Sequence, residues 1–115
     1  MKQFSNKVAI VTGGGSGIGK ALCIELGVSG SVVVVADLNE ENARKTATMI
    51  DQQGVRAKAQ CLDVADEKQV TKLVFDTAAE YQRLDYMFNH AGINILADAR
   101  DLRLEDWQHV MDVNL

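Results

Sequence analysis

The chain has 115 residues, 47% of them hydrophobic and 24% charged, with 12 Lys and Arg against 16 Asp and Glu for a formal charge of −4. That composition fits a single globular domain and argues against disorder, a collagen-like repeat or a disulfide scaffold. Without a basic patch nucleic acid is not an expected partner, and the longest apolar run, Val32 to Ala36, is far too short to cross a bilayer.

Taken in chain order, the pattern alternates strand and helix. Lys7 to Thr12 is a short β-favouring apolar run, too brief for a helix. Five of the nine glycines follow within seven residues, at 13, 14, 15, 17 and 19. Ile18, Ala21, Leu22 and Leu26 then recur at helical spacing, and Gly27 and Gly30 are read as the end of that helix. Val32 to Asp37, with four consecutive valines, reads as a parallel strand buried on both faces. Asn39 is placed to cap a second helix with Ala43, Thr46, Ala47 and Ile50 on one face, stopped by Gly54. A third strand is expected at about Arg56 to Leu62. Asp66 with Gln69 resembles a capping box before a helix carrying Val70, Leu73, Val74, Ala78 and Tyr81.

Tyr86 to Asn89 reads as a fourth strand, His90 to Arg103 as a loop, and Leu104, Trp107, Val110 and Met111 as a last helical pattern. That pattern reaches Leu115 without a cap, so the chain is expected to be the cut N-terminal part of a larger domain. The whole predicts an α/β fold, a Rossmann-type doubly wound parallel sheet truncated after the fourth strand and part of the following helix. Cys23 and Cys61 have no CxxC or His neighbours and are both expected to be buried small apolar residues. Met1-Lys2-Gln3-Phe4 does not open a secretory signal, so a cytoplasmic protein is expected.

A glycine turn feeding a helix presents unpartnered N–H groups and the positive end of the helix dipole, and so favours an anion. Three templates compete for it. The strict G-x-G-x-x-G pattern fails in every register, since its last position falls on Ile18, Lys20 or Leu22. The phosphate-loop pattern is nearly met by Gly14 to Gly19-Lys20 but fails at Ala21, whose methyl group cannot supply a hydroxyl to Mg²⁺. The third template, T-G-x-x-x-G-x-G, is met at every fixed position by Thr12 to Gly19. A glycine turn holding no ligand is the plainer alternative. Asp37 ends the second strand about 20 residues further on, where a carboxylate accepts hydrogen bonds from adenosine ribose hydroxyls and repels a 2′-phosphate. Leu38 and Asn39 supply no compensating cation, so NAD is favoured over NADP; Lys20 reads as a solvated helix-surface lysine.

The third template is the glycine motif of the short-chain dehydrogenase/reductase family, which the chain resembles over its whole length. The resemblance implies a strand order 3-2-1-4 and a cofactor cradle of Gly13, Gly15, Ser16, Gly17, Ile18 and Gly19, with Asp37 and Leu38 beside the ribose. Cys61-Leu62-Asp63-Val64 is similar to the family segment that contacts adenine, which implies that role for Asp63 and Val64. Asn89-His90-Ala91-Gly92 resembles the family's Asn-Asn-Ala-Gly motif, implying that Asn89 ties the sheet and that Ala91 and Gly92 lie along the cofactor. His90 departs from it and is read as structural. Asn114 falls where the family has its catalytic asparagine, while Arg103 stands where a Ser or Thr often caps that helix.

The family's Tyr-x-x-x-Lys pair is missing. Tyr81 is followed four residues on by Asp85 and Tyr86 by His90, so both tyrosines read as packing residues. The implied parent is an NAD-dependent oxidoreductase moving hydride to or from a small-molecule alcohol or ketone, with this chain inactive alone. The alternative is a non-catalytic nucleotide-binding or self-associating module. A homo-oligomer is expected in either case, through the open edge of the fourth strand or the last helix.

Overall fold

The structure, a computed structural model, describes residues 5–89 and the backbone of 92–95. Strands β1 (Val8–Thr12), β2 (Val32–Asp37), β3 (Ala57–Cys61), β4 (Tyr86–Asn89) and β5 (Gly92–Ile95) form one sheet in the order β3-β2-β1-β4-β5. Helices α1 (Gly17–Val28), α2 (Glu40–Asp51) and α3 (Glu67–Tyr81) make the crossovers. The first four strands are parallel in the expected order, with Val8 to Thr12 paired in register to Val32 to Ala36. This is a Rossmann-like doubly wound fold.

Alternation along the strands splits the core into two layers. Val8, Ile10, Val32, Val34, Ala36 and Met87 face α3 and meet Val70, Leu73, Val74 and Ala78. Ala9, Val11, Val33, Val35 and Phe88 face the other way and meet Cys23 and Leu26 of α1 and Ala43, Ala47 and Ile50 of α2. The unbroken valine run is therefore apolar because both of its faces are covered. The helix faces of α2 and α3 lie as their periodicity predicts.

Four expectations need correction. Gly27 does not end α1 but sits inside it, where a Cβ would come within 2.7 Å of Ile50 Cγ2; its bare backbone lets the two helices touch. The turn falls instead at Gly30, with φ +91°. On α1, Ile18 and Ala21 are exposed, while Cys23, Leu26 and Gly27 are buried: Ile18 stands in the first turn at the cleft, and Ala21 shares the solvent face with Glu25 and Val28. Cys61 is exposed, being the last residue of the edge strand β3. Finally, Gly92–Ile95 is not loop but an antiparallel strand along β4, so the β4 edge expected to be open is paired. No helix among the described residues is long and apolar enough to cross a membrane.

Candidate nucleotide-binding site

Strand order reverses between β1 and β4, and in such sheets the crevice beyond the strand C-termini at that point is where ligands bind. A cleft of about 490 Å³ lies there, lined by Val11, Thr12, Gly13, Ser16, Ile18, Gly19, Leu22, Asp37, Phe88 and Asn89. Thr12 closes its floor: the buried hydroxyl donates to the Phe88 carbonyl at 3.3 Å and ties β1 to β4 across the reversal. Of the residues expected from sequence, Gly13, Ser16, Ile18, Gly19, Asp37 and Asn89 line this cleft. Thr12, the first fixed residue of the glycine motif, lines it too, as do Val11, Leu22 and Phe88, which the motifs do not include. The signal for Val11, Leu22 and Phe88 is position, at or near strand ends and on the first turns of α1.

The glycine loop takes its shape from backbone demands. Gly13 and Gly17 have φ +69° and +58°, the left-handed region that side-chain-bearing residues rarely adopt. Gly19 is set by close approach: a Cβ there would collide with the Gly13 carbonyl oxygen and stand 2.7 Å from its carbon. Helix α1 thus starts directly against the turn it leaves, and its first N–H groups open into the cleft. Gly14 N–H extends the sheet by donating to the Ala36 carbonyl at 3.1 Å.

The helix starts differ in how they are satisfied. Asn39 caps α2 by accepting from Asn42 N–H at 3.0 Å, and Glu40 and Glu41 lie in its first turn. Asp66 caps α3 through one oxygen that accepts from Lys68 N–H at 3.0 Å and Gln69 N–H at 3.3 Å, with Glu67 following. The Gln69 amide reaches back to Asp63 N–H at 3.1 Å rather than to the cap's own N–H, so this is a capping box displaced by three residues. At α1 the cap residue Ser16 makes no side-chain capping bond, and no acid stands in the first turn. A pyrophosphate fits that donor set: uncapped N–H groups, a dipole uncompensated by the chain's own acids, and a cradle that a Cβ at Gly19 would fill.

Asp37 holds the rim. Its Oδ2 accepts from Gly15 N–H and its Oδ1 from Asn39 N–H, both at 2.9 Å. Beside it Leu38 is 71% exposed, Ile18 is 90% exposed and Val64 is 41% exposed, apolar side chains left uncovered on one end of the sheet. The β3 exit is fastened to the same rim by Leu62 N–H donating to the Asp37 carbonyl at 3.0 Å and the Cys61 thiol donating to the Leu38 carbonyl at 3.6 Å. Asp63 accepts from Ala65 N–H at 2.9 Å and shapes the turn that presents Val64. Gly15 and Gly17 belong to the loop without lining the cleft. Gly92 is described only as backbone, paired with Asn89. His90, Ala91, Arg103, Trp107, Met111 and Asn114 lie outside the described residues.

At the opposite end of the strands a cavity of about 410 Å³ is lined by Arg56, Tyr81 and Arg83 among others. The Arg56 guanidinium lies 5.7 Å from the centre of the Tyr81 ring. Burial, and then the hydrogen bond with Glu80, push the Tyr81 phenol up to about 12, so it is no proton-transfer group near neutral pH. On β4 the Tyr86 ring packs 6.1 Å from that of Phe88.

A family model for short chain dehydrogenases matches residues 7–115. The chain belongs to that family. This family member is 36% identical over 115 residues to a cyclopentanol dehydrogenase of Comamonas sp. (strain NCIMB 9872), an alignment covering all of this chain and 46% of that enzyme. It is 38% identical over 114 residues to a cyclohexanol dehydrogenase of Acinetobacter sp. (strain SE19), covering 98% and 45%. An NAD⁺-bound xylitol dehydrogenase superposes with TM-score 0.73 at 30% identity, over 98% of this chain and 44% of the other. The short chain dehydrogenase chain thus spans a little under half the length of the curated relatives it matches.

Proposed function

We propose that this chain is the NAD-binding part of an oxidoreductase that moves hydride between the cofactor and a small alcohol or ketone. The observation that carries the reading is the uncapped N-terminus of α1, opening into a cleft whose rim bears Asp37. Gly13, Gly15, Ser16, Gly17, Ile18 and Gly19 form the pyrophosphate side, where backbone N–H groups neutralise the phosphate charge. Asp37, with Leu38 beside it, faces the adenosine ribose and disfavours a 2′-phosphate by like charge; Asp63 and Val64 take the adenine edge. Asn89, Ala91 and Gly92 continue along the cofactor, and Asn114 takes the place of the family's catalytic asparagine, which helps hold a water in a proton relay. The bound nicotinamide supplies the hydride chemistry, and the chain's residues bind and orient it.

The similarity to dehydrogenases of cyclic alcohols and to an NAD⁺-bound polyol dehydrogenase supports an alcohol or ketone as substrate class. No tyrosine in the chain is followed four residues on by lysine, so the chain alone is expected not to turn over. Titration calorimetry with NADH, NADPH and ADP tests the binding reading. Saturable binding of NADH and ADP with weaker NADPH is the expected result; absence of NADH and ADP binding, or equal affinity for NADPH, refutes it. Oxidation of cyclopentanol with NAD⁺ by the chain alone would refute the inactivity.

A further inference from the structure

The carboxylate that faces the ribose is already committed inside the protein. Gly15 lies in the glycine loop, 22 residues before Asp37, and its buried N–H points at Oδ2. The space is shaped for that bond: a Cβ on residue 15 would stand 2.9 Å from Asp37 Oδ2, 2.8 Å from Asn42 Cβ and 3.1 Å from Ala43 N. The other oxygen fixes the turn into α2 through Asn39 N–H. Asp37 therefore joins the glycine loop, the end of β2 and the start of α2. An ionised carboxylate offers about four acceptor positions, so one on each oxygen remains for ribose hydroxyls.

We propose that Asp37 is the positioning residue of the phosphate cradle: through Gly15 N–H its carboxylate holds the glycine loop in the turn that aims the α1 N–H groups, independently of any contact it makes with ribose. The inference rests on the nucleotide-binding reading above and adds to it that cofactor choice and phosphate binding share one side chain. Replacing Asp37 to admit a 2′-phosphate thus disorders the cradle as well as removing the repulsion, and the loop N–H needs a substitute acceptor before affinity returns.

A nucleotide without ribose hydroxyls separates the two roles. ADP and 2′,3′-dideoxy-ADP are titrated against the wild-type chain and Asp37→Ala, and exchange of the Gly15 amide is followed by NMR in both chains without ligand. The expected result is that Asp37→Ala weakens 2′,3′-dideoxy-ADP by about tenfold, as loss of a charge-assisted hydrogen bond implies, and speeds Gly15 exchange by a similar factor. The ladder amides of Ile10 and Val34 should be unchanged, which reports an intact sheet. Unchanged affinity for 2′,3′-dideoxy-ADP beside weakened ADP overturns the proposal, leaving Asp37 a reader of ribose only and nucleotide binding intact. Where a nucleotide fails to bind even the wild-type chain, the nucleotide reading falls with it if that nucleotide is ADP, and the Gly15 amide alone decides the positioning role: faster exchange supports it, equal exchange overturns it. If Asp37→Ala does not fold, Asp37→Asn carries the same measurements, since its amide offers one oxygen where the two N–H groups need two.

Discussion

Placing a carboxylate at the start of α1 should move stability and ligand affinity in opposite directions. Ser16 is exposed, has the extended backbone of a cap residue (φ −157°, ψ 165°) and makes no side-chain bond to the helix. Ser16→Asp introduces an acceptor that can reach the first-turn N–H groups and a charge that complements the dipole, together about 0.5–1 kcal/mol of added stability. The same charge faces any bound pyrophosphate. At about 5 Å in a water-like dielectric each phosphate charge is opposed by roughly 0.8 kcal/mol, so the two charges of a dinucleotide lose about 1.6 kcal/mol, or tenfold in affinity and somewhat more. Competition of the new carboxylate for the same N–H groups adds to that loss. Denaturant unfolding measures the first effect and NADH titration the second, both at low ionic strength because screening within a Debye length of about 10 Å at 0.1 M salt erodes the repulsion. A Ser16→Asp chain that gains stability and keeps wild-type NADH affinity would show that phosphate does not sit on this helix end.

Gly19→Ala should weaken ADP by more than tenfold, because the added methyl stands about 0.7 Å inside ordinary 3.4 Å contact with the Gly13 carbonyl carbon and only withdrawal of α1 from the loop relieves it; retained ADP affinity in calorimetry counts against the cradle geometry. Asp85 accepts from Val8 N–H at 2.9 Å and from Arg83 at 2.8 and 2.7 Å, fastening β1 to the start of β4. Burial works against its ionisation, but the Arg83 and Val8 hydrogen bonds outweigh it and hold the carboxyl below its ordinary range. The stability it contributes is therefore full above the unfolded value near pH 3.9 and is lost as pH falls through the lower folded value. Asp85→Ala should cost about 1–3 kcal/mol at pH 7 in urea unfolding and flatten the acid limb of the stability profile, and an unchanged limb speaks against it. The exposed Cys61 should react with a thiol reagent in the native chain, while Cys23, buried and with its thiol pushed up to about 12 by that burial, reacts only on unfolding; mass spectrometry of the labelled sites distinguishes them.

Where a signal was local, the residues were enough to read it. The valine run, the buried faces of α2 and α3 and the caps Asn39 and Asp66 depend on spacing within a dozen residues, and each lies where that spacing puts it. The glycine loop was legible because its motif spans eight residues and its backbone demands exclude other side chains. What escaped depends on partners distant in the chain. Gly27 reads equally as a helix stop or as a contact, and only Ile50, across the helix pair, decides between them. Ile18 fits an apolar helix face by period, yet it stands exposed in the first turn at the cleft. Cys61 is exposed because β3 is the edge of the sheet, a fact of strand order rather than of composition. Gly92–Ile95 is too short for its pattern to separate strand from loop. Asp37 was read for its charge toward a ligand, and its bond to Gly15 became visible only once the loop and the strand end were brought together.

These differences bear on what supports reading the cleft as a site rather than a gap between strand ends. Right-handed crossovers carry each parallel strand's C-terminus toward a helix start, so every such start in the described residues opens on the same end of the sheet. Two of those starts are capped by the chain itself: Asn39 accepts from one and Asp66 from two of their free N–H groups, and Glu40, Glu41 and Glu67 offset their dipoles. At α1 the chain supplies neither a capping side chain nor an acid in the first turn, and the carboxylate that lines the cleft, Asp37, is turned to Gly15 in the loop and to Asn39 at the start of α2. An uncompensated helix end costs stability unless something else satisfies it. Gly19 draws the helix against the loop and Asp37 bonds that loop from the far side, so the exposed α1 N–H groups are left to water and, on the function proposed above, to an anion entering the cleft. On the function proposed above, a substitution at residue 37 that is to admit a 2′-phosphate meets opposite demands: it must keep an acceptor for Gly15 while giving up the charge, and asparagine, with a single oxygen for two N–H groups, meets only half of that requirement.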